Sequence, residues 1–122
     1  TTADAERLTL VLAFNYSSRR EITLGVQDIA RRVANGTLKA EDINEQTIAE
    51  SLMTAQMPDP DMIIRTSGEC RLSNFLLWQS SYAEFYSPET LWPDFTEEEF
   101  DKAIEVFSKR DRRYGLVTET KE

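Results

Sequence analysis

Met62-Ile63-Ile64-Arg65-Thr66-Ser67-Gly68-Glu69-Cys70-Arg71-Leu72-Ser73-Asn74 is the stretch on which the reading of this chain turns. Its apolar opening reads as a short strand, and Leu72 to Gln79 reads as a helix that buries Phe75, Leu76 and Trp78. In open α/β sheets, ligands bind beyond the carboxyl ends of strands, which is where Arg65 to Ser73 would fall. Two guanidinium groups, a hydroxyl at a helix start and free backbone N–H groups suit the oxygens of a diphosphate. Gly68 would let the backbone turn or approach a ligand closely. The plain alternative is a surface loop in which the arginines pair with Glu69 and other acids and Ser73 is an N-cap.

Working outward, Leu8 to Phe14 is a continuous apolar run with the pattern of a strand buried on both faces. Asn15-Tyr16-Ser17-Ser18 breaks it as a loop. A helix follows with Ile22, Val26, Ile29, Ala30 and Val33 at helical spacing, stopped by Asn35-Gly36. Glu41 to Met57 reads as a second helical stretch with Ile48, Leu52 and Met53 on one face, ended by Pro58-Asp59-Pro60-Asp61. Glu84-Phe85-Tyr86 reads as a third strand. Thr96-Glu97-Glu98-Glu99 has the form of a capping box, opening a helix through Phe100, Ile104 and Phe107 to Arg113, with Gly115 as its stop. Strands alternating with longer helices point to an α/β fold, one part of an open, mostly parallel sheet flanked by helices. Three strands make a poor complete sheet of this kind.

Length and composition set the remaining bounds. The 122 residues suit one small domain with a single core, and 40% hydrophobic with 30% charged residues is an ordinary soluble balance. No apolar run is long enough to cross a bilayer, and no signal-peptide pattern opens the chain, so a cytoplasmic location is expected. Fourteen basic against 22 acidic residues give a net charge of -8, which disfavours nucleic acid and anionic lipid as general partners. Cys70 is the lone cysteine and histidine is absent. That excludes an internal disulfide and histidine-activated nucleophiles, argues against zinc, and leaves Cys70 as a loop residue.

Other segments have two readings each. Glu84, in the aromatic setting Ser81-Tyr82-Ala83-Glu84-Phe85-Tyr86, is either a magnesium ligand at a strand start or a half-buried structural acid. Asn15 to Glu21 follows one strand and opens a helix, so it either borders the same cleft or is a turn with a helix-initiating charge pair. Phe75, Trp78, Trp92 and Phe95 read as core. Arg110-Asp111-Arg112-Arg113 reads as a solvated helix end that complements the helix dipole.

Taken together, Pro58 to Glu69 and Arg71 to Gln79 closely resemble the C-terminal signature of the cis-prenyltransferases, the family typified by undecaprenyl diphosphate synthase. The likeness continues through Tyr82-Ala83-Glu84, Leu91-Trp92-Pro93-Asp94-Phe95 and Arg110 to Gly115. Upstream, Asn15-Tyr16 with Arg19 and Glu21 is similar to the family's asparagine-tyrosine loop. The resemblance covers roughly residues 7 to 115. It implies a homodimeric transferase that condenses isopentenyl diphosphate with an allylic prenyl diphosphate. The reaction is magnesium-dependent, and the new double bonds are cis. The product it suggests is undecaprenyl diphosphate, a cell-wall lipid carrier, through which the enzyme would touch the membrane peripherally. By position, Arg65, Arg71, Leu72 and Ser73 would bind isopentenyl diphosphate, and Glu84 would serve magnesium. Arg113 and Gly115 match the terminal element used near the dimer interface and the substrate diphosphate.

Two departures stand out. Ser17-Ser18 replaces the glycines common in the family. The family's aspartate-glycine-asparagine-glycine-arginine segment, with the aspartate needed for magnesium and the allylic diphosphate, does not occur. The chain therefore reads as the C-terminal part of one domain, without a catalytic residue of its own and inactive in isolation. A non-catalytic partner subunit of a two-component enzyme is the alternative, and a self-contained phosphate-binding module a third. Retention of Arg65, Arg71, Ser73 and Glu84 argues against the partner subunit.

Overall fold

Two short strands and three α-helices carry residues 7–110, the part of the chain described by the computed structural model. Helix α1 spans Ser18–Ala34. It ends as its sequence requires: the Asn35 and Gly36 N–H groups reach back to the carbonyls of Arg31 and Val33, and Gly36 turns the chain out at φ +79°. One face is buried at Glu21, Gly25 and Ile29. A Cβ at Gly25 would stand 3.1 Å from the Ser51 carbonyl oxygen, so the missing side chain is what lets the next segment lie close.

That segment is shorter than its sequence predicts. In place of one helix over 41–57 there is a 3-10 turn at Ala40–Asp42, then α2 at Glu45–Glu50, then a series of tight turns. Asn44 starts α2 with a full capping box. Its side chain accepts the Thr47 N–H, and the Thr47 hydroxyl accepts the Asn44 N–H. The helix ends as the Ser51 and Leu52 N–H groups turn to the carbonyls three residues back, at Ile48 and Ala49, and beyond them the Met53 N–H goes to the Glu21 carboxylate at 2.9 Å. Leu52 is buried as expected, but Met53 is exposed.

Strands β1 (Met62–Ile64) and β2 (Glu84–Tyr86) pair in parallel, Met62 opposite Glu84 and Ile64 opposite Tyr86. The connection between them is a crossover, as parallel pairing demands. A 3-10 turn at Trp92–Asp94 leads on to α3, Glu97–Ser108. Thr96 caps α3 by accepting the Glu99 N–H, and three glutamates fill the first turn where the dipole favours them. The expected continuation to Arg113 and Gly115 lies outside the described residues. These helices beside a parallel strand pair are the α/β architecture expected.

The apolar run Leu8 to Phe14 does not form the expected doubly buried strand. No strand of the described residues pairs with it, and Leu8 and Phe14 are 82% and 83% exposed. An isolated extended segment has no ladder to satisfy its backbone and no sheet face to cover it. Phe75 and Trp92, both expected in the core, are also exposed, Trp92 stacked on Phe95 at a ring distance of 6.0 Å. The buried apolar residues are only Ile29, Leu52 and Ala103 among those described. No helix among the described residues is long and apolar enough to cross a membrane.

So much uncovered apolar surface has a measurable consequence. The 122-residue chain should bind the dye anilinonaphthalene sulfonate strongly and self-associate at micromolar concentration. The double change Leu10→Ser, Leu12→Ser should weaken both. Dye fluorescence no greater than that of a well-packed domain of equal size would show that Leu8 to Phe14 is covered after all.

Candidate diphosphate-binding site

At the carboxyl end of β1 the Arg65 N–H still belongs to the sheet, donating to the Tyr86 carbonyl at 2.9 Å, while the side chain leaves it. The guanidinium Nη1 bridges two points of the following loop, donating to the Arg71 carbonyl at 2.6 Å and the Ser73 hydroxyl at 2.9 Å. One planar, permanently charged group thus gathers the loop around itself. Arg65 and Arg71 line a single cavity of about 270 Å³ together with Ile63, Ile64, Leu72 and Phe75. Arg71, Leu72 and Ser73 therefore stand beside Arg65. The Arg71 guanidinium pairs with Glu69, as the plain loop reading foresaw. A bound anion would have to share Arg71 with that carboxylate.

The rest of the expected cradle is built differently. No helix starts at Ser73, so no helix dipole points at the cavity. Residues 73–82 run as turns, with Ser73, Asn74 and Leu76 in the left-handed region at φ 48°, 65° and 46°. The donors and acceptors that a helical ladder would use are engaged elsewhere. Asn74 accepts from the start of α1, and the Leu77 N–H donates to the Ser18 hydroxyl at 2.7 Å. Nor are the Ser67 and Gly68 N–H groups open to a ligand, since they hold the Thr90 and Pro88 carbonyls. Gly68, at φ +66°, is needed for its backbone conformation rather than for space: an added Cβ would meet nothing nearer than 3.8 Å.

Behind this loop lies a polar knot that sequence reasoning missed. Ser18 and Glu21 are the largest fully buried side chains described. Glu21 accepts from the Tyr16 hydroxyl at 2.6 Å, the Met53 N–H at 2.9 Å and the Gln79 amide at 3.1 Å. The same Gln79 nitrogen reaches the Thr54 hydroxyl at 2.8 Å. Burial first, then the bond to Glu21, raises the Tyr16 phenol above its ordinary pKa. The Tyr16 ring meets Phe75 edge-on at 5.6 Å. Residues 15–21 thus border the candidate site by bracing it from behind.

Glu84 lies apart from the two arginines. It opens β2 opposite Met62, whereas Arg65 leaves the far end of β1, roughly 10 Å of strand away. Its carboxylate accepts from Arg110 Nη1 at 2.6 Å, so Arg110, exposed beyond the end of α3 as expected, is also paired. No cluster of three metal-ligating side chains occurs among the described residues. A single carboxylate is still chemically apt for magnesium, which commonly takes one or two protein oxygens and completes its shell with water and phosphate. Arg113 and Gly115 fall outside the described residues. Cys70 is exposed in the loop.

A parallel α/β strand pair with an arginine loop at its carboxyl end puts the cavity where ligands of open α/β sheets bind. The comparisons go further. The prenyltransferase family model described as "Putative undecaprenyl diphosphate synthase" matches residues 1–115. The isoprenyl transferase of Agrobacterium fabrum is 55% identical over 118 residues, 97% of this chain and 48% of that protein. That of Thermotoga maritima is 53% identical over 114 residues, 93% of this chain and 48% of its own length. Among solved structures, lavandulyl diphosphate synthase from Lavandula x intermedia, in complex with dimethylallyl diphosphate, superimposes with a TM-score of 0.83 at 42% identity. The match covers 85% of this chain and 45% of that one. A "probable undecaprenyl diphosphate synthase" from Campylobacter jejuni gives 0.69 at 40% identity, over 85% of this chain and 46% of its own. The chain belongs to the undecaprenyl diphosphate synthase family of prenyltransferases. It spans about half the length of the curated relatives it matches.

Proposed function

We propose that the whole protein condenses isopentenyl diphosphate with an allylic prenyl diphosphate, forming cis double bonds, and that undecaprenyl diphosphate is its product. One observation carries the reading: Arg65 and Arg71 line one cavity at a strand's exit, with Ser73 held to Arg65 beside them. In that place Arg65, Arg71 and Ser73 grip the diphosphate of isopentenyl diphosphate, and Leu72 packs in the same loop. Ionisation of the allylic partner leaves a carbocation, and fixing the second substrate by its phosphates points its double bond at that carbon. Leu72 and Phe75 give the cavity an apolar wall suited to the isopentenyl group. Glu84 is the residue here that would hold magnesium, which would supply charge neutralisation to a diphosphate.

The same reading makes residues 1–122 the C-terminal part of one prenyltransferase domain, inactive alone, in a cytoplasmic homodimer that meets the membrane through its lipid product. Arg113 and Gly115 would serve the dimer interface and the substrate diphosphate. The test is incorporation of radiolabelled isopentenyl diphosphate by the full-length gene product, supplied with farnesyl diphosphate and magnesium. Chain-length analysis should show polyprenyl products centred on the undecaprenyl length, with none from residues 1–122 alone. A folded full-length protein that incorporates no label would refute the proposal.

A further inference from the structure

Helix α1 begins without a cap of its own. Its N-cap residue, Ser17, makes no side-chain bond to the first turn, although the opening N–H groups of a helix have no partners within it. The partners come from a residue 55 positions away: Asn74 Oδ1 accepts the Arg19 N–H at 2.9 Å, and the Asn74 carbonyl accepts the Ser18 N–H at 2.8 Å. Both acceptors can reach because Asn74 sits at φ 65°, a left-handed conformation that asparagine tolerates better than most residues. The neighbouring residue is Ser73, whose hydroxyl receives Arg65. Ser18 returns the contact, since its hydroxyl accepts the Leu77 N–H at 2.7 Å.

We infer that Asn74 is a positioning residue for diphosphate binding, capping α1 from across the fold and so holding Ser73 and Arg65 in register. The inference rests on the diphosphate reading of Arg65 and Ser73. Two consecutive bonds to a rigid 17-residue helix fix the Asn74 side chain and the peptide plane just after Asn74, next to Ser73. Without them, Ser73, Asn74 and Leu76 lose part of what holds their left-handed backbone in place. Ser73 then swings away from Arg65, and the guanidinium loses one of its two anchors. Asn74 itself touches no substrate. Its effect should therefore fall on the affinity for isopentenyl diphosphate and spare the allylic substrate.

The experiment uses the full-length enzyme and its Asn74→Ala, Asn74→Asp and Arg65→Ala variants. Steady-state constants are measured for both substrates, and isopentenyl diphosphate binding by calorimetry. Asn74→Ala should raise KM for isopentenyl diphosphate about tenfold, the effect of roughly one hydrogen bond with its loop order. The KM for the allylic diphosphate should stay within about twofold of wild type. Asn74→Asp keeps an acceptor oxygen and adds a charge suited to a helix N-terminus, so it should restore KM to within about threefold. Should the alanine variant fail to fold, Asn74→Gly tolerates the left-handed backbone and keeps the carbonyl while removing the side-chain acceptor, and should move KM the same way. If Arg65→Ala weakens binding while both Asn74→Ala and Asn74→Gly bind like wild type, this inference alone is wrong. Equal losses for both substrates, not rescued by aspartate, would mean a merely structural role and also overturn it. A wild-type enzyme that binds no isopentenyl diphosphate, or binding that Arg65→Ala leaves untouched, removes the diphosphate reading and this inference together.

Discussion

Arg65→Ala in the full-length protein should lower kcat/KM for isopentenyl diphosphate about a hundredfold or more, on the order of 3 kcal/mol. Two losses combine. The diphosphate loses a charged, fork-shaped donor, and hydrogen bonds to charged groups are worth about twice the neutral kind. The loop also loses the group that ties the Arg71 carbonyl to the Ser73 hydroxyl, so the remaining donors are no longer pre-ordered. Arg65→Lys keeps the charge but cannot span both acceptors in one plane, and should recover less than half of the lost free energy. Because these bonds are solvent-exposed rather than buried, the thermal midpoint should hardly move. That split between binding and stability is the diagnostic. A KM for isopentenyl diphosphate within threefold of wild type would remove Arg65 from the site.

Arg71→Ala should act in the same direction but less strongly. Arg71 already shares its charge with Glu69, so part of what it offers a ligand is offset by breaking that pair. The comparison also shows which parts of the site were legible in the sequence. That Arg65, Arg71 and Ser73 stand together beyond β1 was readable because the order of residues after a strand is a local fact. So were α1 with its Asn35-Gly36 stop, the Thr96 cap of α3, and the short runs that became β1 and β2. The misread elements share one physical feature: a distant residue captures their backbone groups. Leu72 to Gln79 has the composition of a helix, yet Asn74 and Leu77 bond to the start of α1. Residues 51–57 continue a helical pattern, yet Glu21 takes the Met53 N–H. Apolar periodicity records which face is buried, but it does not record such long-range bonds. Leu8 to Phe14 failed for the opposite reason. Its pattern describes a strand between neighbours, and among the described residues it has none.

Glu21 should prove the residue on which stability depends most. Its side chain is almost fully buried, at 1% exposure, and three donors from three separate segments converge on it: Tyr16, Met53 and Gln79. Alanine would strip the Met53 N–H of its acceptor and leave the Gln79 amide with only Thr54 and the Tyr16 hydroxyl with only Ser18 Oγ. An unpaired buried donor costs about 1–3 kcal/mol and each of the other two lost bonds about 1 kcal/mol, so with coupling the net loss should be about 3 kcal/mol. In a domain of the full-length size that is a fall of about 10 °C in Tm. Glu21→Gln retains one acceptor oxygen but turns an amide donor toward other donors, and should lie between alanine and wild type. Tyr16→Phe removes a single bond and should cost about 1 kcal/mol. The order of the three variants matters more than any one value, because a simple cavity would rank them by lost volume and place Tyr16→Phe beside Glu21→Gln. Denaturant unfolding of the full-length protein reads all of them. A Glu21→Ala cost below about 1 kcal/mol would mean that the knot joining α1, residues 53–54 and the site loop does not hold the site in place.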